Sequence, residues 1–288
     1  MSTAAGVAVL PLLLAPLAAA AGPPDYRVAR TDVSRSALLA GEDTWSQAAR
    51  ISWGPSPYET VFRALWDDDG LYLRFDATDP YPWHTMTQRD DELWEEEVVE
   101  IFIDPDRSGH DYYELEISPA NVVCDLRMAS PWPDKVGHVD WNLAGVETRV
   151  HPRKDAAGKT TGWTATAFLP WSGFRPLPSS RGVALPPKPG DAWGFNVFRI
   201  ERPGGPGNPQ KDAVLAAWSS PSVPSFHDPK AFRSLVFEAS ASGRRARSSV
   251  SRRSISDPAQ PDDATGPWGR EPSGLRTTRP RPSERRAE

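Results

Sequence analysis

The chain predicts an all-β fold: an antiparallel β-sandwich of jelly-roll type with long loops and a disordered C-terminal tail. Three observations predict it. Short runs rich in β-branched and aromatic residues recur with an alternating pattern, as where Leu71, Leu73 and Phe75 interleave with Tyr72, Arg74 and Asp76. Strong turn chemistry joins such runs, above all Asp67-Asp68-Asp69-Gly70. No amphipathic helix of useful length lies between them, which leaves sandwiches and jelly rolls rather than parallel α/β folds.

In chain order, residues 26–41 read as a polar lead-in. Residues 45–53 are short and mixed, closed by the break Gly54-Pro55-Ser56-Pro57. Strands are predicted at 60–66 and 71–78, the second with one buried and one wet face. A long loop, 79–97, follows, with Tyr81, Trp83, His84, Met86 and Trp94 and six acidic residues after Arg89; loops of that length in a compact domain tend to be functional. The next predicted strands are 98–104, 111–118 and 122–128. Beyond a loop at 129–142 come 145–151, 162–169, 191–201, 214–219 and 234–238. Residues 170–174 offer at most one helical turn, and 175–189 and 203–210 are Pro- and Gly-rich loops.

The strand at 98–104 carries one charge at its centre. Val99, Ile101 and Ile103 fall on one face, and Val98, Glu100 and Phe102 on the other. A carboxylate among Val, Ile and Phe is costly unless it is solvated in a groove or partnered. Trp94 stands just upstream, and an indole beside a carboxylate is a pairing that holds a sugar: the ring packs on C–H faces while the acid accepts from hydroxyls. Trp94 and Glu100 therefore predict one wall of a carbohydrate-binding groove. The residues read also as a core lid beside a solvated acidic run, Glu95 to Glu97.

Composition narrows the function classes. The segment from Ser240 to Glu288 has 11 Arg against 6 acidic residues, and the remainder has 22 basic against 32 acidic. So acidic a body is a poor nucleic-acid binder, since that affinity comes largely from neutralising phosphates. The 12 Trp suit core edges and ligand platforms alike. Cys124 is the single cysteine, so no intrachain disulfide and no Cys-based metal site can form; its apolar setting predicts a buried small residue. The 5 His are scattered and read as loop residues. Residues 1–22 resemble a signal peptide, with an apolar centre at 7–17 and an Ala-x-Ala end, though without a basic start. They are too short and Pro-broken for a stable membrane anchor, so a secreted or periplasmic location is expected. Residues 26–238 form the predicted sandwich, and 239–288, rich in Arg, Ser and Pro, a tail unable to bury a core. The sequence says nothing of oligomeric state.

Catalytic motifs are absent: no Gly-rich phosphate loop, no His-Glu-x-x-His, no Gly-x-Ser-x-Gly. Glycosidases use paired carboxylates, and Glu100, Glu114 and Glu116 can in principle meet on adjacent strands of one sheet face, as many pairs in an acidic chain do by chance. Residues 90–97 with Asp104 and Asp106 offer oxygen ligands of the kind Ca2+ takes, without the spacing of a known calcium loop. No catalytic residue, metal ligand or cofactor is assigned.

Several motifs in order carry a resemblance. Trp66 to Phe75 followed by Asp79, Trp94 with the run Val99-Glu100-Ile101-Phe102-Ile103-Asp104, and Tyr112-Tyr113-Glu114 come first. Gly162 to Trp171, Gly194-Phe195-Asn196, Ala217-Trp218-Ser219 and Phe226-His227-Asp228 follow. Over roughly residues 32–238 the chain resembles the family 9 carbohydrate-binding modules, β-sandwiches related to DOMON-like sugar- and haem-binding domains. The resemblance implies a non-catalytic module supporting carbohydrate catabolism. It implies that Trp94 and Phe226 clamp a terminal sugar and Glu100 bonds its hydroxyls, with Trp83 and Asn196 also at the site. Glu116 stands where the family has Arg, so an anionic acceptor replaces a cationic donor. The alternatives are a glycoside hydrolase or hydrolase-associated domain, and a haem-binding relative with Met86, Met128 or a His as axial ligand.

Overall fold

The computed structural model describes residues 25–40, 43–174 and 182–240. The predicted leader and the tail beyond residue 240 lie outside them. Among the described residues are thirteen strands, eleven in one hydrogen-bonded path and two paired beside it, folded into two packed sheets. The first sheet is ordered β8 (Val136–His138), β7 (Val123–Ser130), β6 (Tyr112–Ile117), β5 (Val98–Asp104), β11 (Ala192–Glu201) and β13 (Arg233–Phe237), with β12 (Val214–Ala217) also on β11. The second is ordered β3 (Thr60–Trp66), β4 (Gly70–Thr78), β10 (Thr160–Pro170) and β9 (Glu147–Lys154), with β2 (Ile51–Trp53) on β3.

The two are joined by β1 (Tyr26–Arg30), inside the stretch expected to be a polar lead-in. Its first half pairs with β13, Tyr26 beside Leu235, and its second half with β3, Ala29 beside Leu65. Both pairings are parallel, so the sandwich is mixed where a purely antiparallel one was expected. A five-residue strand reached by no tight turn leaves no hairpin signal. The Tyr26 hydroxyl secures the switch, accepting from the Ala64 amide and donating to the Ala49 carbonyl, each at 2.7 Å.

Inward-facing residues of both sheets make the main core: Val99, Ile101, Phe195 and Val197 from the first, Leu73, Phe75, Ala165 and Ala167 from the second. The outer face of β4, expected to be wet, is covered. Helix α1 (Arg35–Ala40) lays Leu38 and Leu39 over Tyr72 and Phe168, with Trp45 beside them. Among the described residues no helix is long and apolar enough to cross a membrane.

One end of the core is ionic. The alternation that turns Phe195 and Val197 inward also turns Arg199 and Glu201 inward, and the same rule carries Asp79, Glu97 and Trp163 to that end. Arg199 is fully buried. Its guanidinium bonds Asp79 at 3.2 Å, Glu201, and the carbonyls of Val98 (3.2 Å) and Ile200 (2.8 Å). It also lies 5.1 Å from the Trp163 ring centre, whose indole N–H donates to Asp79 at 3.2 Å. Burial, then the charges of Glu201 and Asp79, push Glu97 up to about 10. Removing one partner of such a network strands the others in low dielectric. Arg199→Leu is expected to cost about 3–5 kcal/mol at neutral pH, read from urea unfolding.

Candidate functional site

On the outer face of the first sheet, β5, β6 and β7 turn Val98, Glu100 and Phe102, then Tyr112, Glu114 and Glu116, then Cys124, Leu126 and Met128 to one side. Register places Glu100 directly opposite Glu116, and Glu114 opposite Phe102. Like charges facing across strands destabilise a sheet, and here they are also out of water: Glu100, Glu114 and Glu116 are 2%, 5% and 0% exposed. One carboxyl oxygen from each lies within 4.8 Å of the others. Glu100 Oε1, Glu114 Oε2 and both oxygens of Glu116 have no hydrogen-bond partner in the chain. Ordinarily a buried polar atom is satisfied. These four point to a missing donor.

The carboxyls line a groove of about 690 Å³. Its walls include half-buried Trp94 and Phe226, with Leu126, Met128 and Pro224. Phe226 stacks on Phe198 at 4.4 Å and 22° between planes, and Phe198 is the β11 neighbour of Glu100. His227, expected as a loop residue, is buried in the groove floor. It stacks on Phe102 at 4.9 Å, meets the Tyr112 hydroxyl at 2.8 Å through Nδ1, and lies 4.0 Å from Glu114. Exposed Lys135 and buried Arg202 complete the charged lining.

Loop 79–97 places Trp94, and its acidic run, read above as solvated, does the placing. Glu96 is buried and accepts from the amides of Thr85 (2.8 Å) and Met86 (3.2 Å), and Glu97 from that of Trp83 (3.0 Å). Only Glu95 of the three is exposed. Trp94 then sits in a 3-10 turn, Leu93–Glu95, where its carbonyl accepts from Arg202 at 2.9 Å.

Of the residues singled out from sequence, Trp94, Glu100, Glu116 and Phe226 meet in this groove; two do not. Trp83 stands behind it, its indole donating to the Arg202 carbonyl at 2.7 Å. Asn196 is fully buried away from it, bonded to the Ser219 carbonyl (2.7 Å) and amide (3.1 Å) as a clasp on β11. Glu114, Lys135, Arg202 and His227 were not assigned; of these only Glu114, two residues before Glu116 on one strand, had a local signal.

The segment considered for Ca2+ is used in part by its own fold. Asp91 accepts from the Thr87 and Gln88 amides at 3.0 and 2.8 Å, and Asp104 from Gly109 at 2.8 Å. Among the described residues two carboxyl clusters have ligand spacing, and the one at Asp79, Glu97 and Glu201 already holds Arg199. A larger groove, about 1500 Å³, opens on the second sheet. Arg30 pairs there with Asp68 and Arg35 with Glu147, and among the described residues its lining holds no buried side-chain polar atom without a hydrogen-bond partner, so it presents no comparable demand for a ligand.

Burial dominates the electrostatics of the carboxyl cluster. It raises Glu100 and Glu116 well above the usual carboxylate range, helped by the neighbouring carboxylates, and pushes Glu114 up to about 7. Lys135 opposes the rise at all three. His227 is held neutral, lowered to about 3 by burial and then by Lys135. Cys124, opposite Glu116, is buried and raised in the same way, which makes it a poor nucleophile.

Residues 41–239 match the family described as carbohydrate family 9 binding domain-like. No protein of curated function matches the chain significantly. Among solved structures, a candidate carbohydrate-binding protein from Bacteroides uniformis ATCC 8492 is similar at 18% identity and a TM-score of 0.55, over 76% of this chain and 100% of that one. A family 9 carbohydrate-binding module from Caldicellulosiruptor kristjanssonii, solved with cellotriose, is similar at 15% identity and a TM-score of 0.50, over 82% of this chain and 99% of that one. At these identities the two show the shared β-sandwich.

The raised carboxyls make stability depend on pH. The folded chain holds a proton on Glu114 between its ordinary value of 4.5 and about 7, whereas the unfolded chain does not. This contribution is fully present below the lower value and is lost as pH rises through the upper one. Glu114→Gln removes that loss. Relative to the parent chain it is expected to gain stability between pH 5 and pH 8, by on the order of 2–3 kcal/mol, measured by denaturant unfolding at each pH.

Proposed function

The chain belongs to the carbohydrate family 9 binding domain-like family, and we propose that it is a non-catalytic module holding a sugar or glycan end above Glu100. One observation carries the site: Trp94 and Phe226 share a single groove with buried carboxyl oxygens that lack partners. Sugar recognition needs an apolar wall for C–H faces and a few fixed polar groups to orient the hydroxyls, the composition of small-ligand sites generally. An acceptor-only carboxylate suits hydroxyl donors.

Binding without turnover is the better reading of the carboxyls. Glycosidases set two of them on either side of the scissile bond, about 5–9.5 Å apart. Here three oxygens crowd within 4.8 Å at one point, a geometry for gripping one group. The apolar run at 7–17 supports a secreted or periplasmic setting, and sugar binding is compatible with a role in carbohydrate catabolism.

A glycan array probed with the full chain tests the proposal, and an array without any ligand would sink it. Trp94→Ala and Glu100→Gln are each expected to weaken the best ligand at least tenfold by calorimetry, a loss of about 1.4 kcal/mol or more, with unchanged circular dichroism. No reducing sugar is expected to be released from that ligand on prolonged incubation.

A further inference from the structure

The geometry points to a cationic sugar as the ligand class: a 2-amino-2-deoxy sugar whose ammonium sits on Glu100, Glu114 and Glu116. This deepens the carbohydrate reading and rests on it.

The inference begins from donors and acceptors. The groove offers three carboxyls at least 95% buried, with four oxygens that no N–H or hydroxyl of the chain reaches; Glu114 and Glu116 have each other, and neutral His227 lies 4.0 Å away. They belong to the wall that Trp94 and Phe226 also line, so whatever satisfies them is part of the molecule those rings hold. Burial favours protons on these carboxyls, and a cation displaces them; the resulting carboxylate only accepts, and a sugar hydroxyl donates one hydrogen. A primary ammonium donates three and carries the opposite charge. Charge-assisted bonds of this kind are about twice as strong as neutral ones. Three oxygens within 4.8 Å of one another are spaced to receive a single small cation.

The chain's own cations do not fill the place. Arg202 is engaged with the Trp94 carbonyl (2.9 Å) and Gln210 (2.8 Å). Lys135 is exposed at the groove edge, and both oxygens of Glu116 stay without a partner beside it. His227, 4.0 Å from Glu114, is neutral and bonded to Tyr112. A bare divalent ion would also suit three carboxylates, but it would leave the aromatic walls without a function. An amino sugar uses the carboxyls and the rings together.

Calorimetry on the full chain at pH 7 decides it, with D-glucosamine, D-glucose, N-acetyl-D-glucosamine and their short β-linked oligomers, each with and without EDTA. Glucosamine or its oligomer is expected to bind at least tenfold more tightly than the glucose and N-acetyl counterparts, and EDTA to change nothing. In Glu116→Gln and Glu114→Gln, each checked for folding by circular dichroism, the preference is expected to collapse to less than threefold. Equal binding of glucose and glucosamine would overturn the inference and leave carbohydrate binding standing. Binding abolished by EDTA and restored by Ca2+ would overturn it in favour of a metal. Silence of every sugar, on the array as well, would overturn both readings together.

Discussion

A guanidinium sealed between two sheets, with three carboxyls around it, is the constraint on which the groove depends. Arg199 ties β11 of the first sheet to Asp79 and Trp163 of the second. Glu97, in the same cluster, takes the Trp83 amide; the Trp83 indole takes the Arg202 carbonyl; Arg202 takes the Trp94 carbonyl. Each link is a hydrogen bond between groups with few alternatives once buried, so the position of Trp94 on the outer face is inherited from an ion pair on the inner one. A loop of this length is ordinarily a place of conformational freedom. Here buried acids consume that freedom and leave one aromatic residue at the rim.

The two carboxyl clusters show what a partner changes. Asp79 and Glu201 face Arg199, and the cluster is closed. Glu100 faces Glu116 across adjacent strands, Glu114 stands two residues along the same strand, and the chain tolerates the cluster by holding protons above the usual range. The first arrangement stabilises the fold. The second costs stability, and a buried cost confined to a groove with aromatic walls supports the proposed binding site.

Much of this was legible in the residues. The hairpin at Asp67 to Gly70 and the strand at Val98 to Asp104 lie where alternation and turn chemistry put them. Trp94 and Glu100 could be paired because one precedes and one interrupts the same strand. What was misread had no local signature. β1 pairs in parallel with strands far along the chain. Glu96 and Glu97 look like solvated charge until the amides they accept from are known. Asn196 and Trp83 are polar and aromatic in suggestive places, yet they bond backbone groups of Ser219 and Arg202.

By itself the sequence determined which residues face inward and which outward, since side-chain alternation along a strand is a local property. It thereby determined that the chain is a β-sandwich and that Glu100, Glu114 and Glu116 can share a face. Only the tertiary structure decided that Glu100 stands opposite Glu116, that His227 and Phe226 return from far along the chain to close the groove, and that Arg199 is spent inside. Register and packing depend on contacts between distant segments, and no spacing within one segment encodes them.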